Sequence, residues 1–246
     1  MSTPFLSLIF PAHNEEDRLP ETLKQVVEFA GKQTYPIEVL VVENGSMDKT
    51  FQIARDFAVQ HPQVRVLQND QSGKGRAVKQ GMLAAQGDYR FMCDVDLSMP
   101  VDEINRFLPP ALEGYDIAIA SRETPGAVRL GEPYYRHIVG RIYNGLIRIL
   151  ALPGLQDTQC GFKCFTGEVA EDLFQRQTLT GWSFDVEILF IARLLGYKVI
   201  EIPIHWYYNP HSKISVVRDS FKMGVDLLTI RLNAIRGVYT RSNARI

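Results

Sequence analysis

Residues 89–96 read YRFMCDVD. An apolar run of this length, closed by polar residues, has the pattern of a buried strand over Tyr89–Cys93. Residues two apart on a strand point to one side, so Asp94 and Asp96 would converge at its end. The same motif of apolar strand and polar exit recurs on the N-terminal side. Phe5–Phe10 (FLSLIF) stops at Pro11 and leads into Ala12, His13, Asn14 and Glu15. Ile37–Val42 (IEVLVV) is apolar except at Glu38 and leads into Glu43, Asn44, Gly45 and Ser46. Val64–Leu67 leads into the stretch from Asn69 to Gly75. Helical spacing fills the gaps, over Leu19–Phe29, Asp48–Val59 and Ala77–Ala85. Strands alternating with helices predict right-handed βαβ units, hence an α/β fold with a mostly parallel central sheet flanked by helices. Ligands bind such sheets beyond the carboxyl ends of the strands, which is where the polar exits lie.

Further along, the pattern predicts a helix over Ile104–Leu112 and a strand over Ile117–Ala120. Residues 123–133 hold Pro125, Gly126, Gly131 and Pro133 and read as a loop. Amphipathic helices follow over Tyr134–Leu152 and Val216–Tyr239, with a helix over Ile188–Leu195 and a strand over Lys198–Ile204 between them. The last helix carries an apolar stripe at Val217, Phe221, Val225, Leu228, Leu232, Ile235 and Tyr239. It suits either the protein's own core or a membrane surface.

Composition narrows the classes. The 246 residues are 46% hydrophobic and 22% charged, which excludes a disordered or collagen-like chain. Lys and Arg number 27 against 28 Asp and Glu, for a net charge of -1. Binding of nucleic acid through bulk positive charge is therefore not expected. Cys93, Cys160 and Cys164 are too few for a disulfide framework and lack paired zinc-knuckle spacing, so they read as buried thiols. No secretory leader is visible. The sequence holds no stretch of about 18 uncharged apolar residues, so no membrane span is expected.

Five groups of residues could carry chemistry. Asp94 and Asp96 repel one another unless a cation sits between them, and Mg²⁺ or Mn²⁺ bridging phosphate oxygens would serve. The plainer explanation is one helix-capping Asp and one solvated Asp. Ser72-Gly73-Lys74-Gly75-Arg76 offers backbone N–H groups and a positive charge to a phosphate. It is neither a P-loop nor a dinucleotide motif, because Val78 stands where a third glycine would be. Asn14 with Glu15, and Glu43 with Asn44, could hydrogen-bond ribose hydroxyls or a base, or serve as turn and capping residues. Arg122, Arg129, Arg136, Arg141 and Lys213 could hold a second anion. Asp157 and Gln159, with Trp182, Phe184 and Asp185, mix carboxylates, amides and aromatics as a sugar site does; core packing and an N-cap at Asp185 explain the second set equally well.

Together these motifs resemble family 2 glycosyltransferases of the GT-A fold. The residues that carry the likeness are PAHNEE (11–16), VVENGSMDKT (41–50), GKGRAV (73–78) and DVD (94–96). SR (121–122), DTQCGFKCF (157–165), WSFDVE (182–187), SKI (212–214) and MGVDLLTIRL (223–232) narrow it to the dolichyl-phosphate β-glucosyltransferases and their polyprenyl-phosphate relatives. The resemblance implies inverting transfer of a hexose, glucose from UDP-glucose, to a polyprenyl phosphate. It puts Pro11, Ala12, Asn14, Glu15, Glu43, Asn44, Gly73, Lys74 and Gly75 at the nucleotide, and Asp94 and Asp96 at the metal and diphosphate. Arg122, with Arg129 or Arg136 and with Lys213, would meet the acceptor phosphate. Asp157 would be a base or an acceptor-orienting residue, and Gln159, Trp182 and Asp185 would line the sugar pocket.

The implied organisation is a single domain over 1–246. It has a nucleotide-binding half (1–122), an acceptor and sugar half (123–210) and a basic amphipathic tail (211–246). That tail holds seven Lys and Arg against two Asp, a net of +5. Such asymmetry suits an anionic surface, so peripheral attachment at the cytoplasmic face of a membrane is expected. Glu43-Asn44 replaces the Asp-Asp common in relatives and blurs the nucleotide preference. GDP-mannose as donor, a non-lipid acceptor and a non-catalytic nucleotide-sugar binding module stay open.

Overall fold

The computed structural model describes residues 3–209 and 216–240. Six strands run parallel: β1 (Leu6–Ala12), β2 (Ile37–Asn44), β3 (Val64–Asn69), β4 (Tyr89–Met92), β5 (Ile117–Ser121) and β8 (Val199–Pro203). A seventh, β7 (Lys163–Thr166), lies antiparallel between β4 and β5, giving the order β3-β2-β1-β4-β7-β5-β8. Strand β7 escapes a pattern reading because KCFT is short and opens on a charged residue. A two-stranded parallel ribbon joins β6 (Val128–Leu130) to β9 (His205–Tyr207). The predicted loop over 123–133 therefore contains a strand, stabilised by a partner far along the chain.

Both faces of the sheet are covered. On β2, Val39 and Val41 enter one hydrophobic cluster and Leu40 and Val42 the other. Helices α1 (Leu19–Gly31) and α2 (Thr50–Gln60) cover the first face. Helices α3 (Lys74–Ala84), α5 (Gly167–Arg176) and α6 (Phe184–Leu194) cover the second. This two-sided burial explains why the strands read as continuous apolar runs. The lone polar residue of the second run, Glu38, is buried but satisfied: it accepts from Ser7 Oγ at 2.6 Å, from the Gln86 amide at 2.5 Å and from Arg65 at 2.9 Å.

Several predicted helices differ from those observed; α6, for one, starts at Phe184, four residues before the predicted Ile188. Helix α3 starts at Lys74, three residues before the predicted start. The predicted helix over Ile104–Leu112 is a 3₁₀ turn at Val101–Phe107. Pro109 forces Leu108 into extended backbone, and Pro110 has no amide to donate, so the helix cannot run on.

Helices α4 (Tyr134–Leu150) and α7 (Val216–Ile235) lie where the spacing predicts. Their apolar stripes face outward. Val225, Leu228, Leu232 and Ile235 of α7 are exposed, whereas Met223, Leu227, Ile230 and the following Tyr239 are buried. Helix α7 is apolar on two faces, and spacing alone could not choose between them. The side chains of Val217 and Phe221 lie outside the described residues. On α4, Tyr134, Tyr135, Ile138, Ile142, Leu146 and Ile149 are exposed. Arg231 Nε donates to the Leu150 carbonyl at 2.6 Å and ties the two helices together. No helix among the described residues is long and apolar enough to cross a membrane.

Glu187 of α6 anchors the segment that crosses in front of α3. Fully buried, it accepts from the Thr178 and Leu179 amides at 3.1 and 2.8 Å, from Thr178 Oγ1 at 2.5 Å and from Tyr239 Oη at 2.8 Å. Removing it strands several buried donors. Glu187→Ala is therefore expected to cost about 3 kcal/mol or more in equilibrium urea unfolding. A loss under about 1 kcal/mol would show that the surrounding groups find other partners.

Candidate active site

The carboxyl ends of β1, β2, β4 and β5 form one rim, and most of the predicted residues gather there. Lys74 opens α3. Its ammonium lies 2.6 Å from Asp94 Oδ1 and 5.3 Å from the centre of the Trp182 indole. The glycines on either side are sterically required. Gly73 has φ +150°, and a Cβ there would come within 2.7 Å of the Thr180 carbonyl. A Cβ on Gly75 would come within 2.7 Å of the Phe184 Cβ. Burial disfavours the charge on Lys74, but Asp94, Asp185 and Asp96 outweigh it and raise its pKa.

Asp94 and Asp96 lie just past β4, in a turn held by the Thr22 hydroxyl on the Val95 carbonyl at 2.6 Å. Burial first, and Asp94 second, push the Asp96 carboxyl up. Asp96 Oδ1 accepts the Ser98 amide at 3.1 Å. A Cβ on Gly161 would overlap the Asp94 carboxylate, so the chain at Gly161 forms the floor beneath it. No group of three metal-ligating side chains occurs among the described residues. Two crowded carboxylates on a polar rim still fit a hard divalent cation, provided that diphosphate and water oxygens complete its shell.

Asp185 does not cap α6; its carboxylate turns inward to Lys163 at 2.6 Å. Lys163 is also buried and donates to the Cys160 carbonyl at 2.5 Å. Burial raises the Asp185 pKa, with Lys163 and Lys74 opposing it. Two Lys–Asp pairs therefore stand side by side. The sequence reading included Lys163 in DTQCGFKCF but gave it no role; its one signal was a lysine inside the apolar run CGFKCF. Trp182 is half-buried beside Lys74, while Phe184 is core. All three cysteines are buried free thiols.

On the N-terminal side of the rim, β1 delivers Pro11 and Ala12 opposite Val42 and Glu43 of β2. The loops beyond are stapled together. Asn14 (φ 51°) donates its amide to Ser46 Oγ at 3.0 Å and accepts the Met47 amide at 2.8 Å. Glu15 pairs with Arg18 at 2.7 and 2.8 Å. Glu43, almost fully buried, accepts the Ser46 amide at 2.5 Å. Asn44 Oδ1 is buried with no hydrogen-bond partner among the described residues. Glu15 and Glu43 thus shape the loops, and Asn44 keeps unspent acceptor capacity.

Arg122, at the end of β5, forms the other half of the rim. Asp157 accepts its amide at 2.9 Å, its Nε at 2.7 Å and its Nη2 at 2.8 Å. Asp157 is fully buried, which pushes its pKa up, but Arg122 overrides this and holds it at about 2. Near neutral pH it stays a carboxylate held by Arg122 and is a weak base. Glu201 of β8, absent from the sequence reading, accepts the Gln156 and Asp157 amides at 2.8 and 2.9 Å and fixes this loop. Gln159 is half-buried two residues on. Arg129 donates to the Arg122 carbonyl at 3.2 Å and is paired with Glu132 and Glu123. Lys213 and the side chain of Arg136 lie outside the described residues.

With that geometry in place, comparison with known proteins gives the class. The sequence profile described as Glycosyl transferase family 2 matches residues 7–174. The chain belongs to that family and is a nucleotide-sugar-dependent glycosyltransferase. It is 31% identical to the dolichyl-phosphate β-glucosyltransferase of Mus musculus, over 99% of this chain and 80% of that protein. The Drosophila melanogaster protein of the same name is 33% identical, over 95% of this chain and 76% of its own. Among solved structures, glucosyl-3-phosphoglycerate synthase of Mycobacterium tuberculosis, in complex with Mn²⁺, UDP-glucose and phosphoglyceric acid, superposes with a TM-score of 0.65 at 17% identity. The match covers 98% of this chain and 82% of that one. The fold is therefore GT-A, as the resemblance implied.

Two outcomes follow from the packing. Gly161→Ala should leave the fold intact but displace Asp94 and lower turnover on the order of a hundredfold, as loss of a preorganised charge contact does; near-normal turnover would show that Asp94 relocates without cost. Asp157→Asn should lower stability by a constant amount above about pH 5. A carboxylate whose pKa is depressed on folding contributes fully above its unfolded value, roughly 3.9. That contribution is lost as pH falls toward about 2. Urea unfolding across pH should show the two proteins converging in acid, and a gap that persists there would contradict the assignment.

Proposed function

We propose that the protein transfers glucose from UDP-glucose, with inversion, to dolichyl or another polyprenyl phosphate, using Mg²⁺ or Mn²⁺. The reading is carried by relatives of that activity, about a third identical over nearly the whole chain, together with the Lys74–Asp94–Asp96 cluster facing Arg122 across one rim. Asp96 and Asp94 would hold the cation, which neutralises charge on the departing diphosphate. Lys74 adds a second positive charge beside it. The acceptor phosphate is already an anion, so transfer needs no strong general base. Asp157, at about 2, suits that chemistry as an orienting partner of Arg122. Asp185 and Lys163 hold the floor of the sugar pocket next to Trp182. Residues 1–122 bind the nucleotide, 123–210 the sugar and acceptor, and 211–246 form the basic tail.

The outward apolar faces of α4 and α7 support peripheral attachment to a cytoplasmic membrane face. Arg141, Arg148 and Arg236 are exposed beside them, which suits anionic headgroups.

The test is nucleotide release from UDP-glucose, GDP-mannose and UDP-N-acetylglucosamine, each with and without a short polyprenyl phosphate. Lipid-stimulated release from UDP-glucose alone is the expected result. Stimulation with another donor changes the sugar and keeps the reaction; no stimulation with any donor rejects the acceptor. Asp96→Ala should reduce turnover by roughly a hundredfold or more without loss of fold. Arg122→Ala should raise the KM for lipid phosphate far more than that for nucleotide sugar.

A further inference from the structure

The parallel ribbon β6–β9 places Trp206 directly opposite Arg129. The Trp206 indole is half-buried, with the Arg122 guanidinium 5.3 Å and the Arg129 guanidinium 5.8 Å from its ring centre. One aromatic ring therefore serves two cations that come from different elements. Each cation is already paired: Arg122 with Asp157, Arg129 with Glu123 and Glu132. With three carboxylates around two guanidinium groups, the cluster offers an anion oriented donors rather than net charge. Arg122 spends its Nε and Nη2 on Asp157. Its Nη1 amino group makes no hydrogen bond to any described residue, and the side chain keeps 19% of its surface. Hydrogen bonds along one edge fix a guanidinium in its own plane; a ring stacked on its face fixes the tilt of that plane.

We propose that Trp206 is a positioning residue for acceptor recognition: its indole sets the tilt of Arg122, so that the unspent Nη1 group meets the incoming phosphate in a fixed orientation. The proposal rests on the acceptor reading above. It adds a residue that no motif marked, supplied by a strand that only the folded chain brings to Arg122.

The test compares wild type with Trp206→Phe and Trp206→Leu. Binding of citronellyl phosphate, of inorganic phosphate and of UDP-glucose is measured by calorimetry, and the KM for each substrate by nucleotide release. Leucine fills space without a π-face; phenylalanine restores the face. Trp206→Leu is expected to weaken citronellyl phosphate binding about tenfold and to raise its KM in step. Trp206→Phe should recover most of that loss, and UDP-glucose should bind equally well to all three proteins. Equal loss in Phe and Leu, parallel loss for UDP-glucose, or no loss in Leu would each overturn the role. If wild type binds inorganic phosphate in a Trp206-dependent way but not citronellyl phosphate, the anion platform stands and the lipid acceptor falls. If it binds neither, the platform falls as well.

Discussion

Charge compensation at the carboxyl rim of the sheet is the constraint on which the rest of the site depends. Asp94, Asp96, Asp157 and Asp185 come together at the rim, Asp157 and Asp185 buried and Asp94 and Asp96 half-buried. Carboxylates so placed are tolerated only when cations or N–H donors stand between them. Lys74 meets Asp94, Lys163 meets Asp185, and Arg122 meets Asp157. Asp96 is left with an amide and no lysine or arginine within ion-pairing distance among the described residues, which is the position a divalent cation would relieve.

The Lys74–Asp94 pair is placed by close backbone approaches. Lys74 can reach Asp94 because Gly73 and Gly75 let the 179–184 segment pass against the start of α3. Gly161 leaves room for the Asp94 carboxylate itself. Behind that segment, Glu187 gathers Thr178, Leu179 and Tyr239; behind Asp157, Glu201 gathers two consecutive amides. Neither acid is ion-paired with a rim lysine or arginine among the described residues. They hold the loops whose residues do.

The helices that leave the rim present a different surface. Arg231 ties α7 to the end of α4, and Asp226 of α7 accepts the Ser183 hydroxyl at 2.6 Å, beside Trp182 and Asp185. The exposed apolar faces are thus part of the same packed unit as the segment that carries Trp182 and Asp185. Apolar area held outward on two adjoining helices is unusual for a chain surrounded only by water, and the proposed peripheral attachment would cover it.

The sequence by itself determined the α/β class, the position of the rim and nearly every residue type on it. An apolar run ending in polar residues is a local pattern, and strand direction then gives the ligand side. Asp94, Asp96, Lys74 and Arg122 were legible for that reason. Tertiary structure alone decided the pairings. Lys163, Glu201 and Trp206 act through residues 22, 44 and 84 positions away respectively, and β6 and β7 exist only because distant strands complete their hydrogen bonds. It also decided which apolar stripe of α7 faces the core. Local periodicity reports that a face is apolar; only the packed neighbours determine whether protein covers it.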